Sequence, residues 1–323
     1  MNKPIAIIAG EPNSIASEII FKSWQLRKRY VHRPIFIIGS IHLLNMQKRK
    51  LNYRIKIKKI EDNFKIADLK TNELPVYDVQ YKQKKSFEKI SVKSSKYILE
   101  CFDYAIELAK RKKIAGFINC PISKEFLFQK KHQGITEFLS KKSGRSGDEV
   151  MLIYNNKLSV APITTHIPLN QVSLKIKKNK IVKKVKIINN FYRKILNKKP
   201  NIAILGLNPH NFSFSKKSIE KKIIYKAIKN LKESKIKAFG PVPADSSFMI
   251  SKKHKFDVIV GMYHDQVLTP FKALYNYNAI NITLGLPYIR ISPDHGVAED
   301  IVGKKIANPK SLIEAIKFFN KIN

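Results

Sequence analysis

Val258-Ile259-Val260-Gly261-Met262-Tyr263-His264-Asp265 decides how this chain is read. Its first five residues are apolar or glycine without alternation, the pattern of a strand covered on both faces. The run then stops at an imidazole and a carboxylate. Two other stretches end the same way. Val160-Ala161-Pro162-Ile163-Thr164-Thr165 leads to His166, and Ile204-Leu205-Gly206-Leu207-Asn208-Pro209 leads to His210. Open α/β sheets bind ligands beyond the carboxyl ends of their strands. Taken singly, each histidine reads as a turn residue. Sharing one topological position, His166, His210 and His264 are the expected ligands of a divalent metal, for which neutral imidazole suits Zn²⁺ or Co²⁺. Asp245 and Asp265 lie beside this set. Each is a candidate base or orienter of a ligand, or else a turn or helix-cap aspartate.

Working outward, short apolar runs at 5–9, 35–38, 54–58, 115–119, 150–154, 158–164, 202–207, 258–262 and 280–284 predict strands. Amphipathic segments at 92–111, 170–196 and 215–234 predict helices between them. In the first, Tyr97, Ile98, Cys101, Phe102, Ala105, Leu108 and Ala109 form one stripe. In the second, Ile181, Val182, Val185 and Ile188 are expected inside and the lysines outside. This alternation predicts an α/β fold with a largely parallel sheet. Residues 59–90 are polar and irregular and are expected to form a surface excursion.

The chain has 323 residues, 44% of them hydrophobic, enough for one large α/β domain or two lobes around a cleft. No run approaches the roughly 20 apolar residues that span a bilayer. The first ten residues suit a buried strand better than a signal peptide, so a cytoplasmic protein is expected. Cys101 and Cys120 form no C-x-x-C pair, and both are expected to pack in the core, with Cys120 also a candidate for lining a site. The formal charge is +38. Such a charge suits nucleic acid, but 53 of the 62 basic residues are Lys and 9 are Arg. Abundant Lys, Ile and Asn suit an A/T-biased genome. With no nucleic-acid-binding motif present, nucleic acid is not the expected partner.

Lys272, Asn281 and Arg290 follow His264 within 26 residues. A point charge, a neutral donor and a planar fork together suit a phosphate or carboxylate. Arg290 stands out because Arg is scarce here. None of the 12 glycines forms G-x-G, which argues against a Rossmann dinucleotide fingerprint.

The chain resembles the 4-hydroxythreonine-4-phosphate dehydrogenase family of pyridoxal phosphate biosynthesis. The resemblance rests on Gly10-Glu11-Pro12, Cys120-Pro121-Ile122-Ser123-Lys124, Gly134-Ile135-Thr136-Glu137-Phe138, Thr164-Thr165-His166-Ile167-Pro168-Leu169, Gly206-Leu207-Asn208-Pro209-His210, Gly240-Pro241-Val242-Pro243-Ala244-Asp245, Met262-Tyr263-His264-Asp265-Gln266, Asn281-Ile282-Thr283-Leu284-Gly285-Leu286-Pro287, Arg290 and Asp294-His295-Gly296. It implies a two-lobed α/β/α subunit like isocitrate and isopropylmalate dehydrogenases, not a Rossmann fold. The first lobe would comprise 1–130 with 291–323, the second 131–290. It implies a homodimer whose active site lies at the subunit interface. His166, His210 and His264 would share a Zn²⁺, Co²⁺ or Mg²⁺ ion. Thr136, Lys272, Asn281 and Arg290 would bind substrate, and Asp245 and Lys272 would be catalytic. The implied reaction oxidises 4-phosphooxy-L-threonine at its 3-hydroxyl with NAD or NADP, and the product loses CO₂ to give 3-amino-2-oxopropyl phosphate. A phosphorylated sugar acid, threonate or erythronate 4-phosphate, is the alternative substrate, and a member that has lost catalysis is the alternative outside enzymes.

The chain departs from the family at several points. Ile135 replaces the substrate-binding histidine, with His132 three residues earlier as a candidate substitute. Asn211-Phe212-Ser213-Phe214-Ser215 replaces a glycine-rich segment. Ser14, Ala16 and Cys120 stand where glycines are usual. Each such loop needs a backbone that tolerates a Cβ.

Overall fold

Continuous Val, Ile and Leu runs form buried strands, and the amphipathic segments between them form helices. The computed structural model describes residues 3–128, 134–212, 215–276 and 278–322. Its strands are β1 (Ile5–Ile8), β2 (Ile35–Gly39), β3 (Ile57–Ile60), β4 (Leu74–Asp78), β5 (Gly116–Asn119), β6 (Val150–Tyr154), β7 (Ser159–Pro162), β8 (Ile202–Leu205), β9 (Ala238–Val242), β10 (Val258–Gly261), β11 (Ile280–Leu284) and β12 (Arg290–Pro293). The chain divides into two compact units. One is Met1–Ile135 with Pro287–Asn323, the other Thr136–Leu286.

The first unit orders its strands β3-β4-β2-β1-β5-β12, with every pairing parallel. Helix Ser95–Lys110 buries Tyr97, Ile98, Cys101, Phe102, Ala105 and Leu108, most of the stripe read from the sequence. Cys120 is fully buried too, a core residue whose thiol burial holds well above its usual pKa. Ser14 and Ala16 keep negative φ and so accept a side chain without strain. Ser14 Oγ also donates to the Glu11 carbonyl at 2.7 Å and accepts from the Ala16 amide at 3.1 Å.

The second unit orders its strands β11-β6-β7-β10-β8-β9. β6 runs antiparallel to both β11 and β7, while β7, β10, β8 and β9 are parallel. Val160, Leu205, Ile259, Val267, Leu268 and Phe271 belong to one buried cluster there. Among the described residues no helix is long and apolar enough to cross a membrane.

Three expectations are corrected. Residues 59–90 are not simply an excursion, because β4 lies within them, between β3 and β2. Pro75 and the polar flanks mask it, although Leu74 and Val76 are buried. β9 was hidden by Gly240 and Pro241, which stand inside the strand, with a cis peptide between them and an irregular register against β8. An edge strand tolerates such breakers. The segment 170–196 is interrupted at Ile176 and Lys177, leaving helix Lys178–Ile195.

Nor do all lysines of that helix face outward. Lys184 lies three residues after Ile181 and four before Ile188, so it shares their face and is buried. Burial pushes its ammonium down to about 8; Lys180 adds to the depression, while Glu149 and Glu137 oppose it. Below about 8 both folded and unfolded chains hold this proton. Between about 8 and 10.5 the unfolded chain alone holds it, so stability rises with pH across that window by on the order of 3 kcal/mol. Lys184→Met is therefore expected to raise unfolding free energy at pH 7 and to lose that advantage above the window. Urea denaturation of both proteins at pH 7 and above 10.5 checks it, and equal stability at pH 7 would refute the account.

Candidate active site

Parallel order in the second unit sets four strand ends side by side, with neighbouring strands roughly 4.8 Å apart. β7 leads to His166, β10 to His264, β8 to His210 and β9 to Asp245. Since the order is β7-β10-β8-β9, each of these residues leaves the sheet next to another of them.

The His166 and His264 rings have centroids 6.0 Å apart. His264 opens helix His264–Tyr275, and its Nδ1 lies 2.7 Å from Asp265 Oδ1. His166 Nδ1 lies 3.5 Å from Glu137 Oε1, which also accepts from Thr165 Oγ1 at 3.4 Å. A ring whose Nδ1–H is held by a carboxylate, as at His264, keeps its Nε2 lone pair for a ligand, the arrangement common to metal-binding histidines. Each His side chain is about one third exposed, 33% for both. The Thr164 hydroxyl donates to the Met262 carbonyl at 2.7 Å and ties the two strand ends together. Glu137 was not singled out from the sequence, because its sequence neighbours say nothing about His166.

His210 is exposed on the next strand's loop, with φ of 50°. Asn211 and Phe212 follow at 59° and 43°. The loop thus keeps a left-handed course without the family's glycines. Ser213 and Phe214 lie outside the described residues, as does His132. Glu220 fixes the start of this loop. Its Oε1 accepts from the Leu207 amide at 3.0 Å, the Asn208 amide at 2.8 Å and Asn208 Nδ2 at 3.1 Å. Glu220 is buried, and its isolation on the apolar face of a lysine-rich helix was the sequence signal that could have found it.

Asp245 is exposed in the first turn of helix Ala244–Ile250, its Oδ1 accepting from the Ser246 amide at 2.8 Å. Asn281 on β11 holds a buried Oδ1 with no hydrogen-bond partner among the described residues, an acceptor left for a ligand. Thr136 Oγ1 lies 3.3 Å from Thr283 Oγ1. Lys272 is exposed on helix His264–Tyr275. Arg290 belongs to the first unit, buried at the head of β12, its Nε donating to Asn119 Oδ1 at 2.7 Å. Ile135 is buried at the start of helix Ile135–Lys142. Among the described residues no three or more His, Cys, Asp or Glu side chains converge to hold a metal within one chain. His166 and His264 are brought together; His210 joins no such cluster.

Proteins of known kind match this chain along its length. It is 38% identical to 4-hydroxythreonine-4-phosphate dehydrogenase of Sulfurihydrogenibium sp. (strain YO3AOP1), over 97% of this chain and 96% of that protein. It is 32% identical to a putative D-threonate 4-phosphate dehydrogenase of Oceanobacillus iheyensis, over 97% and 96%. The solved 4-hydroxythreonine-4-phosphate dehydrogenase of Klebsiella pneumoniae superposes with a TM-score of 0.86 at 29% identity, covering 99% of this chain and 97% of that one. A fold shared with dehydrogenases and a histidine-lined strand edge define an α/β oxidoreductase. The chain belongs to the family of pyridoxal phosphate biosynthetic protein PdxA, whose model matches residues 31–319.

Glu220→Gln is expected to lower unfolding free energy by roughly 1–3 kcal/mol, because hydrogen bonds to a buried charged acceptor become neutral ones. Urea denaturation at pH 7 checks this, and unchanged stability would show that the carboxylate does not hold the loop.

Proposed function

We propose that this protein oxidises 4-phosphooxy-L-threonine at its 3-hydroxyl, using a divalent metal and NAD⁺ or NADP⁺, and releases 3-amino-2-oxopropyl phosphate after loss of CO₂. The observation that carries the reading is the pair of imidazoles 6.0 Å apart, each with a carboxylate at Nδ1. The relatives' names supply the substrate class.

His166 and His264 would hold the ion, with His210 contributed by a second copy. An exposed His210 that joins no trio among the described residues of its own chain supports this shared site in a homodimer. When bound, Zn²⁺, Co²⁺ or Mg²⁺ would supply Lewis-acid polarisation at the substrate oxygen. The dinucleotide would supply the hydride acceptor; the missing G-x-G means it does not sit on a Rossmann fingerprint.

This chain's residues do the remaining work. Lys272 offers a point charge to the phosphate or carboxylate and so helps to orient C3. Asn281 Oδ1 accepts a hydrogen bond from the ammonium or hydroxyl of the substrate. The Thr136 hydroxyl donates to an anionic oxygen. Asp245, at the same strand edge, takes the hydroxyl proton as the hydride leaves C3. A phosphorylated sugar acid is the second reading. The Oceanobacillus iheyensis relative favours it, and so does Ile135, which leaves the amino acid one polar contact short.

His264→Ala is expected to abolish metal-dependent NAD(P)H formation from 4-phosphooxy-L-threonine, a loss of at least about 100-fold, while the assembly state stays unchanged by light scattering. Full turnover in that variant would remove the proposed site. Faster turnover by the wild type of D-threonate 4-phosphate would select the second reading.

A further inference from the structure

Gln266 occupies a place that neither the metal reading nor the substrate reading uses. Its Oε1 accepts from the Met262 amide at 2.7 Å, and its Nε2 donates to the Gly206 carbonyl at 2.8 Å. Met262 follows β10 two residues before His264, and Gly206 begins the loop after β8 that leads to His210. One carboxamide therefore spans the two strand ends. It uses its acceptor oxygen on one and its donor nitrogen on the other, two separate atoms of one neutral planar group.

The surroundings are shaped to seat it. A Cβ on Gly261 would come within 3.0 Å of Gln266 Oε1 and 2.6 Å of Val267 Cγ1. A Cβ on Gly206 would come within 2.1 Å of Asn211 Oδ1. Asn211 makes a single tie one strand further, its Nδ2 donating to the Pro241 carbonyl at 3.0 Å, ahead of Asp245. Two carboxamides thus lace β10 to the β8 loop and that loop to β9.

We propose that Gln266 is a positioning residue that fixes the His210 loop against the His264 strand end, so that a metal site built on either histidine keeps its geometry. The consequence for metal binding rests on the reading under Proposed function; the tie itself does not. If His210 serves one copy's site and His264 another's, Gln266 also joins the two sites mechanically within each chain.

The test uses the full-length protein stripped of metal, with Zn²⁺ as probe. Gln266→Met keeps the volume and loses both bonds. Gln266→Glu keeps the acceptor and loses the donor at neutral pH. Tyr192→Phe is the control, because it removes a buried hydrogen bond of Tyr192 Oη to Ser159 Oγ, 2.8 Å, at the amino end of β7. Amide exchange across residues 205–212 is expected to speed at least about tenfold in Gln266→Met and not in Tyr192→Phe. Zn²⁺ affinity is expected to fall roughly tenfold or more in Gln266→Met, less in Gln266→Glu, and not in Tyr192→Phe. Unaltered exchange in both Gln266 variants, or equal loss of affinity in Tyr192→Phe, overturns the proposal. Where Gln266→Met does not fold, Gln266→Glu decides alone. A wild type that fails to bind Zn²⁺ removes the metal reading, while exchange still decides the tie.

Discussion

Everything at this site depends on four parallel strands ending at one level. The backbone ladder from β7 through β10 and β8 to β9 fixes where the chain can leave the sheet. Parallel strands carry their carboxyl ends to one edge, so residues nearly a hundred positions apart become neighbours there. His166 and His264 meet for that reason. Buried β-branched side chains hold the register: Val160, Ile204 and Ile259 are fully buried, so a slip of one residue would turn them to the opposite faces.

Side chains then finish what the ladder begins. Thr164, Gln266 and Asn211 each bind a backbone group of the adjoining strand end. Glu220 gathers the amides of Leu207 and Asn208. These groups set the loops, while Asp265 sets the His264 ring and Glu137 lies beside His166. Such preorganisation matters because a catalytic constellation loses much of its power when loosened by about 1 Å. The His210 loop is held at a cost. Phe212 sits at φ of 43°, a conformation that disfavours a side chain by roughly 1–2 kcal/mol. Asn211 bears the same course more easily, since its amide can bond locally.

Strands of uniform apolar character were legible in the sequence. Runs 150–154 and 280–284 coincide with β6 and β11 in full. What stayed hidden were strands carrying their own breakers, Pro75 in β4 and Gly240-Pro241 in β9, because local propensity there is overridden by pairing. The strand-end histidines could be read, since topology delivers them regardless of distance in sequence. The Lys272, Asn281 and Arg290 cluster could be read only as sequence proximity. Arg290 proves to belong to the first unit and the other two to the second. Glu137 and the role of Gln266 depend on contacts across strands, for which one sequence gives no periodic signal, whereas Glu220 is marked by its isolation on an apolar helix face.

The extreme charge also acquires a structural meaning. Among the described residues, Arg33 and Arg290 are buried out of 9 arginines, and Lys184 alone out of a far larger number of lysines. A guanidinium can enter the interior because its fork spreads charge over several acceptors. Arg33 donates to the carbonyls of Lys3 and Ile322, and Arg290 to Asn119. An ammonium concentrates its charge, and Lys184 meets burial with a depressed proton affinity instead. Nearly all the remaining lysines therefore stay at the surface, where they cost little. A chain rich in Lys can carry +38 without altering its core when nearly all its lysines stay out of the interior and the two buried arginines have carbonyl or amide partners.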